Sequence, residues 1–362
     1  LKEKSRPNRP FDDVRGDGAP GEKFDAWNPG VLAKIDGLLD LASLPGDDPL
    51  DRGLAREMII SALKARHSKL DTGDLKILSR SLRELRYGFR VFKPYRNRRK
   101  VTVFGSARTP ASHPEYRQAR DFARRIAAAG YMVITGAGPG IMQAGNEGAG
   151  PDNSFGVGIR LPFETEANKF IARNSLFIDC RFFFTRKLMF LKETSAVVCF
   201  PGGFGTHDEG METLTLIQTG KADPIPVVFI DPPGSRYWSD WVRYVDRQLV
   251  RRGMVAPADM ALFKHTHSAE EAVKEIAGFY RNYHSMRYVR ENLVVRLQRH
   301  PPAGALKAIN KDFRDLCATG GFHLSGPLPE ETEHLGLQRL TFQFKRRGFG
   351  RLRLLIDRLN AY

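Results

Sequence analysis

Residues 196–209 read AVVCFPGGFGTHDE. An unbroken apolar run, Ala196 to Phe200, meets Pro201, Gly202, Gly203 and Gly205, then Thr206 and an acid, Glu209. Such a run bounded by a glycine turn predicts a strand buried on both faces. Glycine at the strand's end lets the backbone come close to a ligand. The pattern recurs in VTVFGS at 101–106 and YMVITGAGPG at 131–140. Further apolar runs are FGVGIRLP (155–162), SLFIDC (175–180) and IPVVFID (225–231). Helical periodicity falls between them at Pro114 to Ala129, Gly140 to Ala149, Phe182 to Thr194, Thr206 to Thr219 and Trp238 to Arg251. A further helix, Ala269 to Tyr283, closes the series. Strands alternating with helices predict a doubly wound, Rossmann-like α/β domain with a parallel sheet over residues 100–285.

The flanks differ. Residues 1–30, rich in Pro, Gly, Asp and Arg, read as a mobile segment. Residues 31–99 read as a helical extension ending in a basic linker, with Leu75, Leu78, Leu82, Leu85 and Phe89 on one helix face. Residues 286–362 read as a small α+β unit of order βαββα, ferredoxin-like or ACT-like, suited to an effector or a dimer contact.

The chain of 362 residues carries a formal net charge of +16, which favours anionic partners: nucleotides, nucleic acid or acidic lipids. The cations cluster between Arg80 and Lys100, a strip that reads as a solvated helix face and linker, or as an RNA-facing surface. No apolar run of about 18 residues predicts a membrane span, and LKEKSRPNRP has no signal-peptide character. Cys180, Cys199 and Cys317 are scattered and odd in number. They argue against a disulfide framework or a zinc site and suit a reducing cytoplasm.

Ligands of parallel sheets bind beyond the carboxyl ends of the strands. The turns there are Gly105 to Arg108, Gly136 to Gly140, Arg160 to Pro162 and Pro201 to Thr206. Gly136, Gly138 and Gly140 form GxGxG, but Ile141 stands where a dinucleotide fingerprint needs its third glycine, and no Walker loop occurs. A mononucleotide site remains, its phosphate at the 202–206 turn and helix start. Glu209 and Glu212 then share a helix face, Glu209 one turn from the phosphate. A competing reading makes Thr206-x-x-Glu209 a capping box without chemistry. In CRFFFTRKLMF (180–190), Arg186 sits on a largely apolar helix and needs an anionic partner, either Glu209 or a substrate phosphate.

These residues resemble the LOG-type phosphoribohydrolases, named for cytokinin activation and long mislabelled lysine decarboxylases. Their motif PGGxGTxxE stands unchanged at Pro201 to Glu209, and their Arg-Lys pair matches Arg186 and Lys187. Their turn GGGPGIMEA matches Gly136 to Ala144, with Ala137 for a glycine and Gln143 for a glutamate. The resemblance implies hydrolysis of the N-glycosidic bond of a nucleoside 5′-monophosphate, AMP or a modified AMP, to free base and ribose 5-phosphate. It also implies a homodimer or larger assembly with sites near the subunit interface. No constellation for a pyridoxal-binding lysine is found, and neither cofactor nor metal is required. On this reading Glu209 is the carboxylate beneath the ribose and Arg186 orients substrate and balances charge. Gly202, Gly203, Gly205 and Thr206 hold phosphate, while Gly138, Gly140 and the Ser106 turn complete the pocket. Lys187 and Glu212 are further substrate-binding candidates. The alternatives are a nucleotide sensor without turnover and an RNA-associated protein.

Overall fold

A computed structural model describes residues 28–43, 45–46, 48–160 and 167–362. The expected mobile segment therefore lies outside the described residues except at its end, as do Leu161 and Pro162 of the expected strand exit. The described residues fall into two compact units, divided between Leu82 and Arg83. The expected boundary near residue 99 moves because the basic linker belongs to the second unit.

The first unit holds α1 (Pro29–Leu41), α2 (Pro49–His67) and the start of α3 (Thr72–Phe92). Asn28 and Asp48 cap the first two helices, accepting from Gly30 N and Leu50 N, with proline in each first turn. Ile35 and Ile60 form its small buried cluster.

The second unit is built on β1 (Lys100–Phe104), β2 (Met132–Thr135), β3 (Ser154–Ile159), β4 (Phe177–Cys180), β5 (Ala196–Cys199), β6 (Val227–Ile230) and β7 (Lys264–Thr266). Every pairing is parallel, in the order β4-β3-β2-β1-β5-β6-β7. The doubly wound α/β expectation is met; only β7, too short and polar for a pattern to reveal, is an addition. Alternate residues feed two cores. Val101, Val103, Val198 and Val228 pack under α4 (Pro114–Ala128), α5 (Ile141–Ala149) and α9 (Ala269–Phe279). Phe104, Val197, Cys199 and Phe229 face α6 (Phe183–Glu193), α7 (Phe204–Gln218) and Trp238 of α8 (Tyr237–Tyr244). The expected helix Trp238 to Arg251 continues beyond α8 as a π-helical turn, Val245–Val250.

The carboxy-terminal portion departs from βαββα. A strand, β8 (Tyr283–Val289), precedes β9 (Asn292–Leu297), so the order is ββαββα and the expected boundary at 285/286 falls inside a strand. The expected helix to Tyr283 stops at Phe279, because the Asn360 amide beside it bonds Phe279 O and the N–H groups of Asn282 and Tyr283. After α10 (Ala305–Asp312) come β10 (His323–Ser325) and β11 (Gln338–Phe342), giving an antiparallel sheet β10-β11-β9-β8 backed by α11 (Phe349–Ala361). Its core is continuous with Phe279 at the end of α9.

The end of the basic strip is engaged within the fold, whereas Arg83, Arg86, Arg90, Lys93 and Arg96 are exposed. Lys100, 3% exposed, donates to Tyr95 O and Arg98 O. Arg99 lies 3.6 Å over the Tyr280 ring, and Arg98 bonds Asn153. Phe92 stacks on Phe155 at 4.5 Å, and Tyr95 meets the same ring edge-on at 5.3 Å.

Candidate active site

The chain winds outward from β1 to β4, then returns beside β1 with β5, so the strand order reverses between those neighbours. Open α/β sheets bind ligands at such a switch point. Here the loops after β1 and β5 are joined: Ser106 N donates to Pro201 O at 3.1 Å. The third wall is the turn after β2, whose Ile141 N donates to Ser106 O at 3.0 Å. Gly140 permits that approach. Its φ is 64°, and a Cβ there would lie 2.3 Å from Ser106 O. Asn168, which sequence reasoning passed over, pins the same turn through Nδ2, which donates to Ala137 O and Gly138 O, each at 3.0 Å. Ala137 holds φ 62°, a conformation in which glycine is unstrained. Gln143 points elsewhere, donating to the Tyr116 hydroxyl, which donates to Glu147.

These loops surround a cavity of about 1160 Å³. Helix α7 begins at Phe204, two residues earlier than expected, with Gly203 as its cap residue. Thr206 N and His207 N both donate to Gly203 O. That excludes the capping box: Thr206 is already within the first turn and Glu209 lies in the helix interior. The first-turn amides of Phe204 and Gly205 lack intrahelical acceptors and lie along the cavity wall. Gly202 is required by close packing, since a Cβ there would sit 2.1 Å from Thr206 Oγ1 and 3.0 Å from Ser106 N. At Gly203 and Gly205 an added Cβ would meet no described atom within 4 Å.

Glu209 lines the cavity yet is only 5% exposed, and its Oε2 is buried without a hydrogen-bond partner among the described residues. Burial pushes its carboxyl up to about 7, against the opposing pull of Lys187 and Arg186. Arg186 also lines the cavity; its Nε is buried without a partner, and its guanidinium lies 5.2 Å from the Phe190 ring and 5.8 Å from that of Phe183. Burial lowers the Arg186 pKa, and the Glu209 charge acts the other way. Of the two anionic partners weighed for Arg186, Glu209 is not in direct contact: no ion pair joins them within 4.0 Å among the described residues. A cation and a carboxylate thus face one cavity, each with an unpartnered buried atom.

Ser106, Gly138, Gly202, Gly203 and Gly205 line the cavity with Arg186 and Glu209. Four other expected contacts do not. Gly140 supports the Ser106 loop from behind, and Thr206 packs beneath Gly202. Lys187 is held at 2.7 Å by both Asp208 and Glu212. Burial would lower its pKa, but these two hydrogen bonds outweigh it and raise it. Lys187 and Glu212 thus belong to an ion-paired group beside Glu209. Their pairing spans α6 and α7, so spacing along either helix alone could not reveal it.

Tyr237 was also missed. It stands on α8, yet its hydroxyl donates to Gly202 O and lies 2.7 Å from His207 Nε2. Both side chains line the cavity, as do the ion-paired Arg160 and Asp179 at the ends of β3 and β4. Its place at the first residue of a helix remote from the motif leaves Tyr237 no sequence signal.

The fold and site define a Rossmann-like domain with an anion-receptive helix start and a buried carboxylate at its switch point. Residues 140–276 match the family model described as "Possible lysine decarboxylase". Two cytokinin riboside 5'-monophosphate phosphoribohydrolases of Arabidopsis thaliana, LOG1 and LOG3, are each 30% identical to this chain, over 94 and 91 residues. The matches span 26% and 25% of this chain and 42% and 40% of those proteins, about two fifths of their length. The resemblance to the LOG-type family is thereby borne out. Among solved structures, TM1055 is 25% identical, with 98% of its chain aligned to 49% of this one at a TM-score of 0.36. The molybdenum cofactor carrier protein of Chlamydomonas reinhardtii is 18% identical, with 96% of it covering 50% of this chain at the same TM-score.

Proposed function

We propose that this protein hydrolyses the N-glycosidic bond of a nucleoside 5′-monophosphate, releasing the base and ribose 5-phosphate. The observation that carries the reading is Glu209: a buried carboxylate, its Oε2 without a partner among the described residues, reaching the cavity one turn beyond a helix start. The curated relatives act on a nucleoside 5′-monophosphate of this kind. The phosphate would lie against Gly203, Phe204 and Gly205, where the helix start favours negative charge. The open space at Gly203 and Gly205 suits that approach.

Cleavage builds positive charge on the ribose and negative charge on the departing base. Ionised Glu209 stabilises the first and orients or deprotonates water, as carboxylates do in glycoside hydrolysis. Arg186 supplies fixed positive charge for substrate and leaving group. Lys187, held by Asp208 and Glu212, keeps a cation beside Glu209 and favours its ionised form. Tyr237 fixes the Gly202 carbonyl and so the orientation of the phosphate loop.

The test is product chromatography with AMP and the other nucleoside monophosphates. Base and ribose 5-phosphate should appear together; tight binding with no base release would replace the hydrolase by a sensor. Arg186→Ala should lower kcat/KM at least about tenfold, or 1.4 kcal/mol, and an unchanged value removes Arg186 from the site. Gly202→Ala, which forces Thr206 and the Ser106 loop apart, should cost about 10²-fold in kcat/KM while circular dichroism stays unchanged. Wild-type kinetics in that variant would show that the loop packing does not set the substrate's position.

A further inference from the structure

We propose that Asp231, His265 and His267 bind one divalent transition-metal ion at the carboxyl edge of the large sheet. None of the three lines the nucleotide cavity. Asp231 directly follows β6, while His265 lies on β7 and His267 just beyond it. The parallel register Ile230↔Thr266 brings the carboxylate alongside both imidazoles. Asp231 Oδ1 is 3.1 Å from His265 Nε2 and 2.8 Å from His267 Nδ1, and the three atoms all lie within 4.8 Å of one another. With metal–ligand bonds of about 2.0–2.2 Å, neighbouring ligands on one ion stand about 3–4 Å apart. A small turn of the half-exposed His267 ring satisfies that requirement.

The carboxylate is already oriented for the task. Its Oδ2 accepts from Ser235 Oγ and Trp238 N, each at 3.0 Å, leaving Oδ1 turned to the imidazoles. Such outer hydrogen bonds hold metal ligands in place. The side-chain exposures are 0% for Asp231, 19% for His265 and 42% for His267, so the cluster is anchored inside and open at one end. Access there admits an ion and its water ligands.

A second observation concerns Gln118. Its Nε2 donates to Asp231 O and His267 O, at 3.2 and 2.8 Å, which fixes the amide's orientation. Its Oε1 is then buried with no donor among the described residues. A water carried on a bound metal would offer it a donor. Two imidazoles and one carboxylate suit zinc, cobalt or nickel better than magnesium or calcium. The expectation against a zinc site rests on the scattered cysteines, none of which this cluster uses. The same Asp231 holds the start of α8, the helix that carries Tyr237, so metal loading would stiffen that support.

The competing account is a metal-free cluster in which one carboxylate oxygen accepts from both imidazoles. Full-length, tag-free protein stripped with chelator should be titrated with Co²⁺ by visible absorption and with Zn²⁺ by calorimetry. One ion per chain is expected, with ligand-field bands for Co²⁺ that Zn²⁺ displaces. His267→Gln, at a half-exposed position that the fold tolerates, should weaken binding at least about 100-fold, and Asp231→Asn should do the same. His334→Gln alters a different imidazole pair, His284 and His334, whose ring centroids lie 4.4 Å apart, and should leave binding unchanged. No saturable binding below on the order of 1 mM overturns the site, as does equal affinity in wild type and His267→Gln, or loss of binding in His334→Gln. The readout is metal binding itself, so a negative result leaves the hydrolase reading standing.

Discussion

Glu209→Gln should lose about a thousandfold in kcat, within the range that a general acid–base or charge-stabilising carboxylate supplies, and should become more stable than wild type at alkaline pH. The two effects share one cause. Glu209 must be ionised to balance an electron-poor ribose, but it is buried and its carboxyl titrates at about 7 rather than the ordinary 4.5. Between those values the folded state holds a proton that the unfolded state has released. Wild-type stability therefore falls as pH rises from 4.5 through 7, by about 3 kcal/mol. Glutamine carries no charge to bury, so urea unfolding of the variant should match wild type near pH 5 and exceed it by about that amount at pH 8. In kinetics, wild-type kcat/KM should rise with pH through about 7 as the carboxylate forms. A variant as active as wild type, or equally stable at both pH values, would return Glu209 to an inert place in the helix.

The second large effect is expected far from the cavity. Glu331→Gln should destabilise the protein by about 3–5 kcal/mol, the cost of stranding buried charge. In the antiparallel register β11 and β9 place Arg339 opposite Arg296, 0% and 4% exposed. Like charges facing one another across strands repel. Glu331 lies between them, with Oε1 accepting from Arg296 at 2.8 and 3.0 Å and Oε2 from Arg339 at 2.8 Å. Burial would raise the Glu331 carboxyl, but Arg339, Leu328 N and Arg296 together hold it at about 2. With a depressed carboxyl, the stabilisation is complete above pH 4.5 and is lost as pH falls towards 2. Urea unfolding at neutral pH checks the single variant. Replacing all three residues with apolar ones of similar volume should recover most of the loss, whereas a neutral single substitution would mean that water already screens the two arginines.

The doubly wound sheet could be read before any coordinates, because burial on both faces demands continuous apolar strands and their glycine exits break the pattern visibly. The same logic located Gly202, Gly203, Gly205 and Glu209, which lie in one contiguous stretch, and Arg186 on an improbably apolar helix. Short polar strands were less legible: β7 offers only Lys264, His265 and Thr266, and no periodicity can be seen in so few residues. β8 was not read as a strand, and the preceding helix was carried on to its first residue, Tyr283, since only Asn360, distant in sequence, marks where that helix stops.

The amino-acid sequence alone determined the parallel α/β architecture and the loop on which the site is built, because backbone preference and apolar periodicity act over neighbouring residues. Only the tertiary structure decided what each charged group does. It began α7 at Phe204, making Glu209 an interior carboxylate instead of a cap, and tied Lys187 to Asp208 and Glu212. It also brought Tyr237 to Gly202 and Glu331 between two arginines. A charge's role depends on its burial and on partners from other elements, and those distances exist only once the layers have packed.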